Sequence, residues 1–377
     1  MSSLHISTLF GNAELTQALL SEGHNVDVSL QSLGTPLHVA ASHGFHSVAK
    51  ALISKGADVN STRDEDGSVL SVLFTTIKKL CNSRESHKCA CGIEYGHAEL
   101  SALVKLLLES GAHPDVATPE GVTPLYFSIA KGDVSVVKLL LEHGADINGL
   151  KDSGFTPLHL CLQAGGSIEL VKELVKAGAD VNVPNFDGVT PLFRAICDGS
   201  TETFQNFLSA SPNLYTRGPD NNTLLHAAAQ GQNANILSTL LQKLDGHQEQ
   251  DVDQSSIGVD TTNDAGETPL HVAAQRGCVT VARTLLTHGA TIDLKDNASS
   301  TPLIEAISHG HDEMVNLLIS QGANSAIVRE FRFLRKVGDA RITAILHKGQ
   351  DNSTDPIRVQ GPGDQVWEEY TIEYQFQ

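Results

Sequence analysis

Apolar residues in this chain recur at helical spacing, in short runs that stop at regular intervals. After Gly165, the run Leu170, Val171, Leu174, Val175 lies along one face of a helix. Gly178 ends it, because the left-handed conformation that closes a helix costs glycine little. Upstream, Thr156 and Pro157 form a start signal: a hydroxyl caps free amides, and proline suits the first helical position. Leu158, Leu160 and Cys161 then fall on the buried side of a short helix. Asp180 to Gly188 is turn-rich and reads as a hairpin finger leading to the next start. The pattern therefore predicts a short helix, a second amphipathic helix and a finger.

The same unit recurs. "GTPLHVAASHG" (34–44), "VTPLYFSIAKG" (122–132), "FTPLHLCLQAG" (155–165), "VTPLFRAICDG" (189–199), "NTLLHAAAQG" (222–231), "ETPLHVAAQRG" (267–277) and "STPLIEAISHG" (300–310) are variants of one sentence. Their threonines are spaced by 88, 33, 34, 33, 45 and 33 residues. Ser68 in "GSVLSVLF" supplies a weaker copy inside the long interval, and the remaining excess is insertion. The second half recurs as "ALISKGADVN" (51–60), "LLLEHGADIN" (139–148) and "ELVKAGADVN" (173–182), among others. A period of 33 with these two motifs at a fixed distance closely resembles the ankyrin repeat family, over about residues 2–349. The resemblance implies an all-α solenoid of stacked helix-turn-helix units with hairpin fingers. One such unit cannot bury its apolar faces alone, but stacked neighbours can.

On this reading residues 1–30 form an N-terminal capping unit, because Ser2 lies 33 residues before Thr35 and "LHISTLFGNAELTQALLSEG" matches the helical half of a repeat. Residues 31–324 hold eight full repeats with insertions near 78–99 and 246–257. Residues 325–349 form a C-terminal capping unit, with Arg332, Arg335 and Lys336 turning its last face to water. Residues 350–377 are a polar tail whose aromatic-acidic end alternates Tyr370, Ile372, Tyr374 and Phe376 with polar residues, as a docking strand or a locally packed tail would. Asn60, Asn148 and Asn182 close three second halves. They complete a hairpin turn or, by resemblance, offer the context that asparaginyl hydroxylases accept in ankyrin proteins.

Composition narrows the function classes. Lys+Arg 26 against Asp+Glu 44 gives a formal net charge of -18, which repels phosphate backbones and argues against nucleic acid as partner. No run approaches the length of a membrane span, and the N-terminus lacks the basic start of a secretion signal. Six cysteines in such a chain suit the reduced thiols of cytoplasm or nucleus. A monomer is expected.

Little in the sequence points to catalysis. His38, His159, His226 and His271 repeat at one motif position, where each can hydrogen-bond its own turn and the neighbouring loop. No nucleophile elbow, phosphate loop, dinucleotide fingerprint or zinc-protease motif occurs. Enzymes that carry ankyrin repeats have a separate catalytic domain, and only 28 residues lie beyond the array. No cofactor is expected. The exception to this blandness is "CNSRESHKCACGIEYGH" (81–97), where Cys81, His87, Cys89, Cys91 and His97 could supply four zinc ligands. Its Cys-x-Cys spacing is unusual for that role, so an exposed loop with clustered thiols is the simpler reading and no metal is assigned.

The resemblance implies a concave groove lined by fingers and first helices, where family members commonly bind protein partners. The family's variable positions carry over to Pro119, Glu120, Val122 and Lys131, then Asp152, Phe155 and Gln163, then Phe186, Asp187, Val189 and Asp198. Val122, Phe155, Phe186 and Val189 would make an apolar strip rimmed by Glu120, Asp152, Asp187 and Asp198. Such a strip fits a protein segment with an apolar anchor and Lys/Arg neighbours, although the two phenylalanines could instead brace adjacent fingers. The reading that follows is a non-catalytic interaction scaffold or adaptor. A metal- or thiol-responsive regulator using the 81–97 insertion is the alternative.

Overall fold

The computed structural model describes residues 2–325, apart from residues 32, 66–67, 83–86, 89–93, 96, 152–153 and 246–256. Most of the expected C-terminal cap, the 350–377 tail, Cys89, Cys91 and Asp152 therefore lie outside the described residues. The rest is helical, as the motif spacing predicts. Consecutive helices form pairs: α1 (Ser3–Leu9) with α2 (Ala13–Ser21), α3 (Pro36–His43) with α4 (His46–Ser54), α5 (Val72–Asn82) with α6 (His97–Glu109). Then come α7 (Pro124–Lys131) with α8 (Val134–Glu142), α9 (Pro157–Gln163) with α10 (Ile168–Lys176), and α11 (Pro191–Cys197) with α12 (Thr201–Phe207). The series continues through α13 (Leu224–Gln230) with α14 (Ala234–Asp245), α15 (Pro269–Gln275) with α16 (Val279–Thr287), and α17 (Pro302–Ser308) with α18 (Asp312–Ser320). None of the described helices is long and apolar enough to cross a membrane.

The chain divides into two compact units, one of residues 1–191 and 205–212, the other of residues 192–204 and 213–377. In unit one, first helices pack on first helices (α1, α3, α5, α7, α9) and second helices on second helices (α2, α4, α6, α8, α10). In unit two, α13, α15 and α17 form one such layer, and α14, α16 and α18 the other. Within each unit, neighbouring pairs thus bury their apolar stripes against one another.

The start signals act as the sequence implies. Thr156, Thr223 and Thr268 cap α9, α13 and α15 in extended conformation, and their hydroxyls accept the N–H of His159, His226 and His271 three residues on. Second helices use Asn12, Asp133 and Ser167 in the same way. Gly178 has φ 96, the left-handed stop predicted after α10. Leu158, Cys161, Leu170, Val171 and Leu174 are buried. Leu160 and Val175, expected to be buried, are only half-buried, because a 3.6-residue turn carries them to the edge of the stripe.

One start is displaced from its predicted place. Ser68 does not cap a helix, and Leu70 is not helical. Strand β1 (Thr62–Glu65) pairs antiparallel with β2 (Ser68–Ser71), matching Thr62 to Ser71 and Glu65 to Ser68. The cap is Ser71, whose Oγ accepts the Phe74 N–H at 3.1 Å, and Val72, Leu73 and Phe74 are buried after it. The finger is therefore three residues longer than a 33-residue register allows. The 81–97 insertion lengthens both helices of its pair, α5 to 11 residues and α6 to 13. Between them β3 (His87–Lys88) pairs antiparallel with β4 (Glu94–Tyr95).

Adjacent pairs are joined by side chains that grip main chain. Asp27 Oδ1 accepts the Asp58 N–H at 3.0 Å, Asn60 Oδ1 the His113 N–H at 2.8 Å, and Asn148 Oδ1 the Asp180 N–H at 2.9 Å. The asparagines also donate: Asn60 Nδ2 to the Gly111 carbonyl at 3.1 Å, Asn148 Nδ2 to Gly178 at 3.4 Å and Asn182 Nδ2 to Ser211 at 3.4 Å. In unit two, Asp260 and Asp293 accept the N–H groups of Thr291 and Asn324.

Candidate partner-binding surface

Each finger tip is a turn closed by its own backbone. The N–H of Thr118 donates to the Val122 carbonyl at 3.0 Å, that of Lys151 to Phe155 at 3.0 Å, and that of Asn185 to Val189 at 2.9 Å. The Phe155 and Val189 carbonyls receive a second bond from the preceding repeat. His159 Nε2 donates to Val189 O at 2.8 Å, and Tyr126, which replaces histidine in its motif, donates its hydroxyl to the carbonyls of Phe155 and Gly149. In unit two His226 reaches Glu267 O at 2.8 Å and His271 reaches Ser300 O at 3.1 Å.

The tautomer follows from this geometry. Nδ1 of His159 accepts the Thr156 N–H at 3.1 Å, so Nε2 carries the proton and donates it to the next finger. Burial favours the neutral ring, lowering the pKa of His159 and bringing that of His226 down to about 4. Burial likewise pushes the Tyr126 hydroxyl up to about 12. These groups are fixed donors in working conditions and aim the finger residues that follow.

The expected site residues divide accordingly. Val122, Phe155 and Val189 occupy the same place, just before a cap threonine, and all three are half-buried. The Phe155 ring lies 5.5 Å from the His159 ring of its own repeat. Phe186 lies against the neighbouring finger yet is 76% exposed. A Cβ on Gly154, whose φ is +73, would come within 2.6 Å of the Phe186 ring and 2.9 Å of its backbone nitrogen. Phe186 thus rests on Gly154 with one edge and leaves the rest to solvent. Glu120 and Asp187 are exposed, as is Gln163. Asp198 belongs to unit two and is held by Arg194, Nε to Oδ2 2.9 Å. Lys131 extends over the Phe127 ring at 5.5 Å.

Leu150, exposed in the finger that carries Phe155, joins these residues without having been expected. It precedes the family's variable positions, and its only sequence signal is an apolar residue inside a turn. Of the 81–97 cluster, Cys89 and Cys91 lie outside the described residues. The Sγ of Cys81 lies 3.9 Å from Asp133 Oδ2, and burial together with that carboxylate raises its pKa to about 12. Among the described residues no group of three or more His, Cys, Asp or Glu side chains is placed to hold a metal.

A family model described as ankyrin repeats (3 copies) matches residues 1–68, 89–185, 163–254 and 250–328. Similar proteins include the mouse B-cell lymphoma 3 protein homolog, 34% identical over 103 residues that make up 27% of this chain and 21% of the relative. Mouse Rabankyrin-5 is 32% identical over 109 residues, 29% of this chain and 9% of the relative. The Arabidopsis thaliana E3 ubiquitin-protein ligase KEG is 26% identical over 310 residues, 78% of this chain and 17% of the relative. The chain thus spans about a fifth or less of these relatives' lengths. Ankyrin repeats generally mediate protein–protein interaction. Nearly all of the described fold falls within the matched segments, and the chain belongs to the ankyrin repeat family.

Proposed function

We propose that this chain is a non-catalytic interaction scaffold that binds a protein partner along the finger row of unit one. The observation that carries the reading is Phe186, a large apolar side chain left 76% exposed by a finger whose backbone is held firmly. Val122, Phe155 and Val189 continue the apolar surface at the equivalent place in three fingers, and Leu150 adds to it. Glu120 and Asp187 stand beside it, so the favoured partner segment has an apolar anchor flanked by Lys or Arg. An aromatic anchor held on a preorganised backbone loses little entropy on binding.

The test is affinity capture from the native host with the full chain and with Phe155→Ala/Phe186→Ala, followed by binding kinetics on the protein recovered. The double variant should speed dissociation, and Glu120→Lys/Asp187→Lys should slow association in a salt-dependent way. A partner that binds all of these alike would place the interaction elsewhere on the chain.

A further inference from the structure

Asn148 sits in the joint between α7/α8 and α9/α10 and is bonded on both sides of its amide. Its Oδ1 accepts the Asp180 N–H at 2.9 Å, and its Nδ2 donates to the Gly178 carbonyl at the longer distance of 3.4 Å. The side chain is exposed, and Gly149 follows it in the one Asn-Gly step of the chain.

The groups around this step are those that an attack of the Gly149 nitrogen on the Asn148 side chain needs. Among the described residues the Gly149 N–H donates no hydrogen bond. The glycine nitrogens of two Asp-Gly steps are tied instead: Gly188 donates to the Asn185 carbonyl and Gly199 to Ile196, both at 3.0 Å. The Asp180 N–H stands where negative charge gathers on Asn148 Oδ1 as its carbon is attacked. The Asp146 carboxylate lies against Gly149, since a Cβ built there would be 3.2 Å from Asp146 Oδ2. It is placed to take the Gly149 proton directly or through a water. Two other asparagines at this place lack the arrangement. Asn60 is followed by Ser61, whose N–H donates to the Asp58 carbonyl at 3.3 Å, and Asn182 by Val183, whose stiff branched side chain crowds the approach.

We propose that Asn148 deamidates through Gly149, which makes this joint a slow covalent switch. The Gly149 nitrogen bonds to Asn148 Cγ as its proton passes to Asp146 or water; the Cγ–Nδ2 bond breaks, and ammonia leaves with a proton. Water then opens the succinimide. Cleavage between the nitrogen and Cγ gives aspartate, and cleavage between the nitrogen and the Asn148 main-chain carbonyl carbon gives isoaspartate. The sum is amide plus water giving carboxylate plus ammonium.

The two products act differently on the joint. Asp27, Asp115, Asp260 and Asp293 already serve at this place, accepting the N–H groups of Asp58, Asp146, Thr291 and Asn324. Aspartate at 148 therefore keeps the bond to Asp180 and loses the donation to Gly178. Isoaspartate puts the former Cβ into the main chain and displaces the Gly149 carbonyl, which the Tyr126 hydroxyl holds at 3.0 Å. The shift passes into the finger of Leu150 and Phe155, and its effect on a partner rests on the finger-row reading above.

The test needs no partner, so its outcome is separate from the fate of that reading. The full chain is incubated at neutral pH, folded or unfolded in urea, then digested; peptide masses report deamidation and enzymatic methylation reports isoaspartate. In the folded chain the Asn148 peptide should convert ahead of those of Asn60 and Asn182. Gly149→Ala should slow it by about tenfold, as one strained contact in the transition state does. Asp146→Asn should slow the folded chain and leave the unfolded rate unchanged; this exposed change keeps the test valid if Gly149→Ala does not fold. Hydrogen exchange at residues 149–151 should rise in the isoaspartyl fraction and stay at the parent level in Asn148→Asp. The proposal is overturned if Asn148 keeps its amide in the folded chain while the unfolded chain converts. It is equally overturned if Gly149→Ala converts at the parent rate, or if Asp146→Asn leaves the folded rate unchanged.

Discussion

The finger rows of the two units are built on the same clamp and end in opposite chemistry. In unit one the residue before the motif threonine is Gly34, Val122, Phe155 or Val189; in unit two it is Asn222, Glu267 or Ser300. The unit-two residues already satisfy one another. Glu267 accepts from Asn263 Nδ2 at 2.9 Å and from Gln275 Nε2 at 2.5 Å, and Asn263 also donates to Asn222 Oδ1 at 3.0 Å. A partner covering that network would have to replace its hydrogen bonds or leave them unmet. A partner covering the apolar row of unit one has only water to displace. The motif histidine holds the backbone in both, so the side chain it aims is free to differ from finger to finger.

The largest effects come from breaking the cores beneath the rows. Leu158 in unit one and Leu270 in unit two have no exposed surface, and either change to alanine should cost about 2–5 kcal/mol. Because repeats are held by their neighbours, hydrogen exchange should show the first loss of protection around the mutated pair. An unchanged denaturant midpoint for Leu158→Ala would mean that the packing inferred for α9 is wrong.

Next in size is a pH effect carried by the clamp. His226 has a folded pKa of about 4 against an ordinary 6.5, chiefly through burial, with Arg217 and His271 adding to the depression and Glu267 opposing it. The unfolded chain therefore takes up the proton first as pH falls. The stabilisation is complete above pH 6.5 and is lost as pH drops from 6.5 towards about 4. Across that window it amounts to roughly 3 kcal/mol. His159 in unit one shifts in the same direction for the same cause. Urea unfolding of the parent chain and His226→Gln over this range should give a shallower acid decline in the variant.

A smaller effect separates two glycines in successive fingers. Gly188 has φ +75 and open space around it, so Gly188→Ala should cost about 1–2 kcal/mol of left-handed strain alone. Gly154→Ala bears similar strain and also collides with Phe186, so it should cost more and move the ring. Equal losses in thermal unfolding would show that Phe186 does not rest on Gly154. The smallest stability change belongs to Phe186→Ala itself, within about 0.5 kcal/mol, although its effect on a unit-one partner should be among the greatest.

The regular elements were legible because their causes are local. Thr156 and Pro157 start a helix wherever they occur, Gly178 stops one, and Leu170, Val171 and Leu174 can share only one face. The histidines were legible for the same reason, since a ring three residues after a cap has its own turn within reach. Ser68 misled because serine caps equally well at Ser71, and the choice was made by the pairing of β2 with β1, which depends on a strand elsewhere. Of the site, the place of Val122, Phe155 and Val189 could be read from the repeat. The exposure of Leu150 depends on how a finger folds, which its composition does not specify. The pairing of Asp198 with Arg194 could have been seen in their four-residue helical spacing.

The bonds that join one repeat to the next also bear on how such a chain changes over generations. His159, His226, His271, Asn60 and Asn148 all hold a neighbour by its amide backbone, which every residue but proline provides in full. A repeat duplicated, lost or exchanged as a 33-residue cassette meets the same carbonyl and the same N–H on the adjoining cassette, with no compensating substitution required. Copy number and surface can therefore drift independently, and a new partner can be accommodated by altering finger residues while the joints are inherited intact.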